Sequence, residues 1–407
     1  MHEQPTRATD TGDVTHDPAR HIEYVRQALR QDKSRIGFFI GAGCPVSIRI
    51  LREEDGDPEP LIPDIAGMTA RVRAELEASE DAESFAQLVA TFDGADPNLE
   101  EMLSGVRALA AVVGSGAVHG LDGDALAKLE RAISASVVTL ASVDLPASEN
   151  AYRTLAAWTG AVVRVKPIEV FTTNYDLLLE QALEETRVSY FDGFVGARRP
   201  FFDIAAIEYD EVPSRWVRLW KLHGSINWRR EEIAGVTRTV GPSDGAHALI
   251  HPSHLKYDES RRMPYLALFD RLRAFLRERG AALLICGYSF NDEHINAVLM
   301  QGLEGNPTAA AFGLLYGDLA GYDRACSLAR RRSNLSLLAA DAAIVGTHEA
   351  PWAPLPDMAE TDEADKETDE DEPAARPPRF AIGDFAAFGI MLGEMIGERP
   401  GTIADGG

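Results

Sequence analysis

The sequence predicts an α/β fold, and three observations carry that reading. Largely apolar runs of strand length recur at Ile36–Ile40, 168–171, 217–222, 281–286 and 311–316. Helical stretches such as 266–279 separate several of them, and apolar strands alternating with helices indicate a parallel sheet covered on both faces. Four short motifs rich in Gly, Thr, Asn, Asp and His follow the ends of four runs, at the edge where an open parallel sheet binds ligands. Together these describe a Rossmann-like parallel sheet with helices on both faces.

In chain order, residues up to about Pro18 are polar and aperiodic, so 1–20 is expected to be disordered. Ile22, Val25 and Leu29 then repeat at helical spacing and lead into Ile36–Ile40, which stops at Gly41: helix, strand and glycine turn open an α/β unit. Residues 69–158 have a different texture. They are rich in Ala, Leu, Val and Glu at helical spacing, as in Leu126, Leu129, Ile133 and Val137, with no strand signal. The core is therefore assigned to 21–66 and 160–350, interrupted by a helical insertion at 67–159. Ten acidic residues and one Lys between 357 and 372 mark 351–380 as an acidic linker. In the tail, 381–407, Phe385, Phe388, Leu392 and Met395 form an apolar helical stripe that needs a groove on its own core or on a partner.

Composition bounds the function. The 407 residues suffice for two or three units with a sizeable core, which excludes a disulfide-stapled miniprotein. With 40 Lys and Arg against 64 Asp and Glu, the net charge is −24, unfavourable for phosphate backbones, and no basic block offsets it; direct nucleic-acid binding is not expected. No signal pattern and no apolar run near the roughly 18 residues of a membrane span is found, so a cytoplasmic protein without a membrane partner is expected. Cys44, Cys286 and Cys326 are too few for a four-thiolate zinc site and contain no Cys-x-x-Cys pair. Cys286 closes an apolar run and reads as a small buried hydrophobe.

Each motif has a structural reading beside a chemical one. Gly41-Ala42-Gly43-Cys44 is a turn that could bring backbone N–H groups to a phosphate, although Val46 stands where a dinucleotide fingerprint has its third glycine and no P-loop Lys follows. Thr172-Thr173-Asn174-Tyr175-Asp176 precedes a helix at 177–184 and could be a plain N-cap, yet capping needs only one such residue. Lys221-Leu222-His223-Gly224-Ser225 ends a strand on a histidine, a structural side chain or a general base. Gly287-Tyr288-Ser289-Phe290-Asn291-Asp292 is a strand-to-helix turn whose small residues admit a ribose or phosphate and whose Asp292 can cap the helix.

In order and placement these motifs resemble the sirtuin-like family, and more closely the bacterial sirtuin-like proteins of anti-phage defence that hydrolyse NAD. The resemblance runs from about Gly37 to Asp292 and is dense at the motifs. It implies that Gly41, Ala42 and Gly43 form a phosphate loop and that Asp64, in Ile62-Pro63-Asp64, closes a nicotinamide loop. Asn174 would hold the nicotinamide-side ribose and a water, Asp176 the carboxamide, Thr173 beside them would contribute to cofactor binding, and His223 would be the catalytic histidine. Gly287, Ser289 and Asp292 would lie at the far ribose and phosphates. The chain departs from the family in its long acidic loop after Cys44 (Glu53, Glu54, Asp55, Asp57), in Ile65 and Ala66 where sirtuins carry an aromatic and an arginine, and in lacking the four-Cys zinc module after His-Gly. His247, His251 and His254 fall in that region, but their pattern is no metal site; no metal is expected.

By this resemblance the chain is an NAD glycohydrolase releasing nicotinamide and ADP-ribose, with catalytic Asn174, His223 and Asp176 and with NAD as substrate. A homo-oligomer is implied, with activation by a second defence protein such as a HerA-type ATPase or an Argonaute-like partner. The stripe Phe385 to Met395 is expected to contribute to such a contact. The alternatives are an NAD or ADP-ribose sensor without chemistry and an NAD-dependent protein deacylase, the latter disfavoured by the missing cysteines.

Overall fold

The computed structural model describes residues 15–51, 56–231, 235–243, 248–250, 264–353 and 379–397. Helix α1 (Pro18–Arg30) begins with proline at its first position, where the missing N–H costs nothing, and the Asp17 carboxylate accepts the N–H groups of Ala19 and Arg20 at 2.9 and 3.4 Å. Order starts earlier than the polar sequence suggests, because His16 pairs with the chain beside Trp352, its N–H bonding the Pro351 carbonyl at 2.9 Å.

A nine-stranded sheet organises the chain. Its strands are β1 (Ile36–Ile40), β2 (Glu169–Thr172), β3 (Tyr190–Phe191), β4 (Val217–Lys221), β5 (Ala282–Cys286), β6 (Ala310–Leu314), β7 (Leu335–Leu338), β8 (Ala342–Val345) and β9 (His348–Pro351). The order is β9-β8-β7-β6-β5-β1-β2-β4-β3, with every pairing parallel except the two hairpin pairings at the β9 edge. The Rossmann-like reading thus holds, with an antiparallel edge added. The second apolar run sits one residue later than its hydropathy suggests, because Thr172 pairs with Ile40 in the ladder.

Successive side chains alternate faces. On one face Phe38 meets Trp158 edge-on at 5.7 Å and Phe388 at 6.2 Å; on the other Phe39 lies 4.9 Å from Tyr288, and Phe171 5.5 Å from Phe275. The strands β1 and β2 are therefore buried on both sides, as their largely apolar sequences require. At the N-terminal ends of the strands a charged cluster closes the sheet. Fully buried Glu169 receives Arg35 at 3.0 Å, Arg271 at 3.5 Å and the Trp220 indole N–H at 2.8 Å. Asp210 joins Arg35, Arg218 and Arg271 at 3.0–3.5 Å.

Between β1 and β2 the chain forms α2 (Ile65–Glu77), α3 (Ala82–Ala90), α4 (Leu99–Val113), α5 (Gly123–Ala141) and α6 (Ala151–Ala161). Asn98 and Glu101 make a capping box at α4. One small hairpin, Ala117–Val118 with Leu121–Asp122, departs from the all-helical expectation for this segment; His119 and Gly120 both take positive φ (54° and 83°), the turn geometry that matches the twist of paired strands. After β2 come α7 (Leu178–Glu185), α8 (Tyr265–Arg277), α9 (Glu293–Gly305), α10 (Asp323–Ala329) and α11 (Phe385–Gly397).

The apolar stripe of the tail finds its groove on this chain. Phe385, Phe388 and Leu392 are buried, Phe385 packs edge-on against Tyr152 at 5.2 Å, and Gly389 approaches so closely that a Cβ there would lie 2.7 Å from Ala151. These side chains are thus not free for the oligomer or partner contact expected of them. A second, five-stranded antiparallel sheet was not anticipated: Ala248–Ile250, Gly224–Glu231, Gly235–Arg238, Phe201–Phe202 and Phe194–Val195, in that order. Its longest strand begins at Gly224, directly after His223. The acidic segment 357–372, the first fourteen residues, Glu53, Glu54, Asp55, and His247, His251 and His254 lie outside the described residues.

Candidate functional site

The strands β5, β1, β2 and β4 are consecutive neighbours, so all four motifs emerge side by side at one edge of the sheet. The first and last interlock. A Cβ on Gly41 would collide with the Gly287 carbonyl, one on Gly43 would lie 2.9 Å from Gly287 Cα, and one on Gly287, at φ +64°, would lie 2.5 Å from the Cys44 nitrogen. Backbone contact between two loops therefore explains all three glycines. The Gly41 N–H bonds the Cys286 carbonyl (2.9 Å) and the Gly43 N–H the Gly287 carbonyl (2.8 Å), so these two groups are engaged within the chain rather than aimed at a phosphate. Ala42 and Gly43 nevertheless face solvent. Cys44 is buried beneath them, its thiol directed to the Cys286 carbonyl at 3.3 Å; burial pushes that thiol well above its usual range, which keeps it neutral.

The β2 motif folds onto the same loop. Thr172 Oγ1 donates to the Ile40 carbonyl (2.7 Å) and accepts the Asn174 N–H (3.0 Å), and the Asn174 amide nitrogen donates to the Gly41 carbonyl at 3.1 Å. Asn174 is nearly buried, and Thr173 half-buried. Two residues on, Asp176 accepts the first helical N–H of α7, from Leu178, at 3.1 Å. Burial pushes its carboxyl up to about 6 despite the opposing charge of Lys221. Lys221, buried at the end of β4, donates to the Asp176 carbonyl oxygen and to Glu180 Oε1 at 3.0 Å, fastening β4 to the turn that carries Asn174.

His223 follows Lys221 by two residues. Its Nε2 lies 3.1 Å from Asp292 Oδ2, with both side chains under a tenth exposed. Asp292 also caps α9, its Oδ1 accepting the N–H groups of His294 (2.8 Å) and Ile295 (3.2 Å). Burial alone would raise this carboxyl, but the His223 imidazole and the two cap N–H groups hold it well below the usual carboxylate range. The turn that aims it is strained: Phe290 sits at φ +58°, braced by Tyr288, whose hydroxyl reaches Asn296 Oδ1 at 3.0 Å, and by the Asn296 amide on the Phe290 carbonyl at 2.7 Å. Ser289 is exposed.

Asp64 is exposed and caps α2 through the Gly67 N–H at 2.8 Å, a bond within its own helix rather than to the other motif residues. One pairing and two members of the site escaped the sequence. The Asp292 contact with His223 joins residues 69 apart with no local pattern. Lys221 had a signal, a lysine inside an apolar strand. Tyr152 comes from α6; it is fully buried, and burial with the nearby Asp176 carboxyl pushes its phenol well up. Among the described residues no group of three or more His, Cys, Asp or Glu is placed to hold a metal ion. Among them also, no helix is long and apolar enough to cross a membrane.

The architecture is that of an open α/β protein with an amide and an imidazole–carboxylate pair at the ligand edge. Residues 168–335 match the SIR2-like domain family, which spans β2 to the start of β7 and fits the NAD-using enzymes in general. Among solved structures the chain is similar to a mutant Sir2 homologue in complex with ADP-ribose, at 14% identity, covering 74% of this chain and 88% of that one with a TM-score of 0.33. It is also similar to a Sir2 homologue in complex with NAD, at 15% identity, 76% and 88% coverage and a TM-score of 0.30. The likeness is distant, and the fold assignment rests on the strand order itself. The curated proteins contain no significant match.

Proposed function

We propose that the chain is an NAD glycohydrolase that cleaves the bond between nicotinamide and ribose. The observation that carries this reading is the placement of Asn174 and His223 just past the ends of adjacent strands, beside the glycine loop after β1. Nicotinamide is a cationic leaving group, so an enzyme needs to stabilise an oxocarbenium-like transition state and deliver water. The C–N bond breaks with its electron pair passing to the ring nitrogen, the water oxygen bonds the anomeric carbon, and the proton it sheds goes to His223. Asn174 positions the water and ribose, Asp176 holds the carboxamide, and Thr173, Ala42, Gly43, Gly287, Ser289 and Asp292 border the diphosphate and far ribose; Asp64 would approach from the loop before α2. Neither metal nor covalent intermediate enters this scheme.

The biological reading is depletion of NAD in anti-phage defence, triggered by a partner protein, with the chain acting as a homo-oligomer. The experiment is release of nicotinamide and ADP-ribose from NAD by wild type, Asn174→Ala and His223→Ala, alone and with the protein encoded next door. Release by wild type and its loss in both variants, with unchanged melting, is the expected result. Full activity in either variant removes that residue from the mechanism. No release by wild type, with NAD binding still detectable by calorimetry, favours the ligand sensor.

A further inference from the structure

We propose that Asp292 is the positioning residue of His223: the carboxylate at the β5–α9 turn fixes the imidazole at the end of β4 in the orientation and tautomer that accept a proton. The inference rests on the hydrolase reading for the reaction it serves, but not for the pair itself. Between β5 and β4 lie β1 and β2, so three strand spacings of about 4.8 Å separate the two chain positions, and the contact arches over the loops carrying Gly41 and Asn174. A 3.1 Å approach across that span requires both backbones to be held, and both are. Lys221 anchors the β4 end to α7, while the strained turn at Phe290 is locked by Tyr288 and Asn296.

The division of labour within the carboxylate is telling. One oxygen, Oδ1, takes both cap N–H groups, and the other, Oδ2, faces the imidazole. A helix cap needs only the first. A carboxylate 3.1 Å from Nε2 favours the tautomer that carries its hydrogen on that nitrogen. When the imidazolium forms, the carboxylate already faces it, so no reorganisation is needed. The other groups around Asp292 do not replace it. Tyr175 and Tyr288 lie near its charge, and burial pushes both phenols above their usual range, so they remain neutral at physiological pH. Glu100 on α4 adds a negative charge near both tyrosines, and Arg107 and Tyr265 lie near Tyr175.

The test is Asp292→Asn, which keeps an oxygen for the two cap N–H groups and removes the charge. The first readout is the NMR titration of His223 in the full chain without substrate, assigned against His223→Gln. The expected result is an imidazole midpoint about one pH unit lower in Asp292→Asn, since an opposite charge at this distance moves a pKa by about 1–3 units. The second is the pH profile of NAD hydrolysis. Here kcat should fall about 10–100-fold, less than the 10²–10⁴ that a positioned base supplies because the base itself remains, with the acid limb moved to lower pH. Asp292→Glu, which restores the charge, should recover part of kcat. An unchanged midpoint overturns the proposal, as does a fall in kcat without displacement of the acid limb. If Asp292→Asn fails to fold, the wild-type midpoint decides: a value at or below the ordinary histidine value of about 6.5 overturns it. Absence of NAD hydrolysis by wild type would sink the hydrolase reading alone, since the titration still tests the pair.

Discussion

Asp176→Asn should make the protein more stable at neutral pH and not at acid pH. The wild-type carboxyl is buried and releases its proton at about pH 6 in the folded chain, against about 3.9 in the unfolded chain. Folding therefore takes up a proton between these values. The favourable contribution of the neutral acid is fully present below about pH 4 and is lost as pH rises through 6. About two pKa units at 1.36 kcal/mol each correspond to about 3 kcal/mol by pH 8. Asparagine presents the same acceptor to the Leu178 N–H but has no charge to desolvate. Urea unfolding of both proteins from pH 4 to pH 8 gives the difference directly; its pH-dependent part should rise toward about 3 kcal/mol in favour of the variant. A flat difference, or a variant less stable at pH 8, would refute the argument, since it would mean that Lys221 more than compensates the buried carboxylate. In the hydrolase reading the same substitution lowers turnover while raising stability, which separates a substrate contact from a helix cap.

Other consequences are equally specific. Gly287→Ala combines a left-handed backbone, about 1–2 kcal/mol, with a Cβ pressed against Cys44, about 1–3 kcal/mol, so a loss of about 2–5 kcal/mol is expected by urea unfolding. Phe388→Ala removes a fully buried ring between α11 and Phe38 and should cost about 3–5 kcal/mol; a cost below 1 kcal/mol would show that α11 does not complete the core. Lys221→Met strands the nearly buried Glu180 and should cost about 3–5 kcal/mol, whereas Lys221→Met with Glu180→Leu should recover most of that loss; equal losses in the single and double variants would exclude the ion pair as the cause.

The parts of this molecule that could be read from the sequence are those with local periodicity. Apolar runs became strands within one or two residues, because a strand covered on both faces must be apolar throughout. The four motifs were legible as punctuation of those runs. The hairpin at His119-Gly120 was not, since a histidine in a left-handed turn is rare, and its two-residue strands carry no alternation. The second sheet was missed for a related reason: the strands at 194–195 and 201–202 are too short to show a pattern, and Gly224–Glu231 starts at the glycine that reads as the end of a motif. The fate of the tail stripe was open in principle, because an amphipathic helix reports that it has an apolar face and not whose surface covers it.

Within the site, the sequence gives residue types and the fold supplies pairings. Asp292 illustrates the difference: its cap role follows from the next two residues, and its contact with His223 follows only from where β5 and β4 stand in the sheet. The two ends of the sheet sharpen the point. At the N-terminal edge, Glu169 and Asp210 are surrounded by Arg35, Arg218 and Arg271, and the cluster is saturated with cations. At the C-terminal edge a carboxyl is pushed up to about 6, a phenylalanine is held in a left-handed turn, and an imidazole faces a carboxylate. A cluster of the first kind closes a core. The second accumulates unfavourable terms that packing alone would remove, as Asp176→Asn should demonstrate, and such terms persist where they serve a bound ligand or a reaction. The strained Phe290 turn and the shifted Asp176 and Asp292 carboxyls stand at the edge that carries all four motifs, and it is there that a ligand could make use of them.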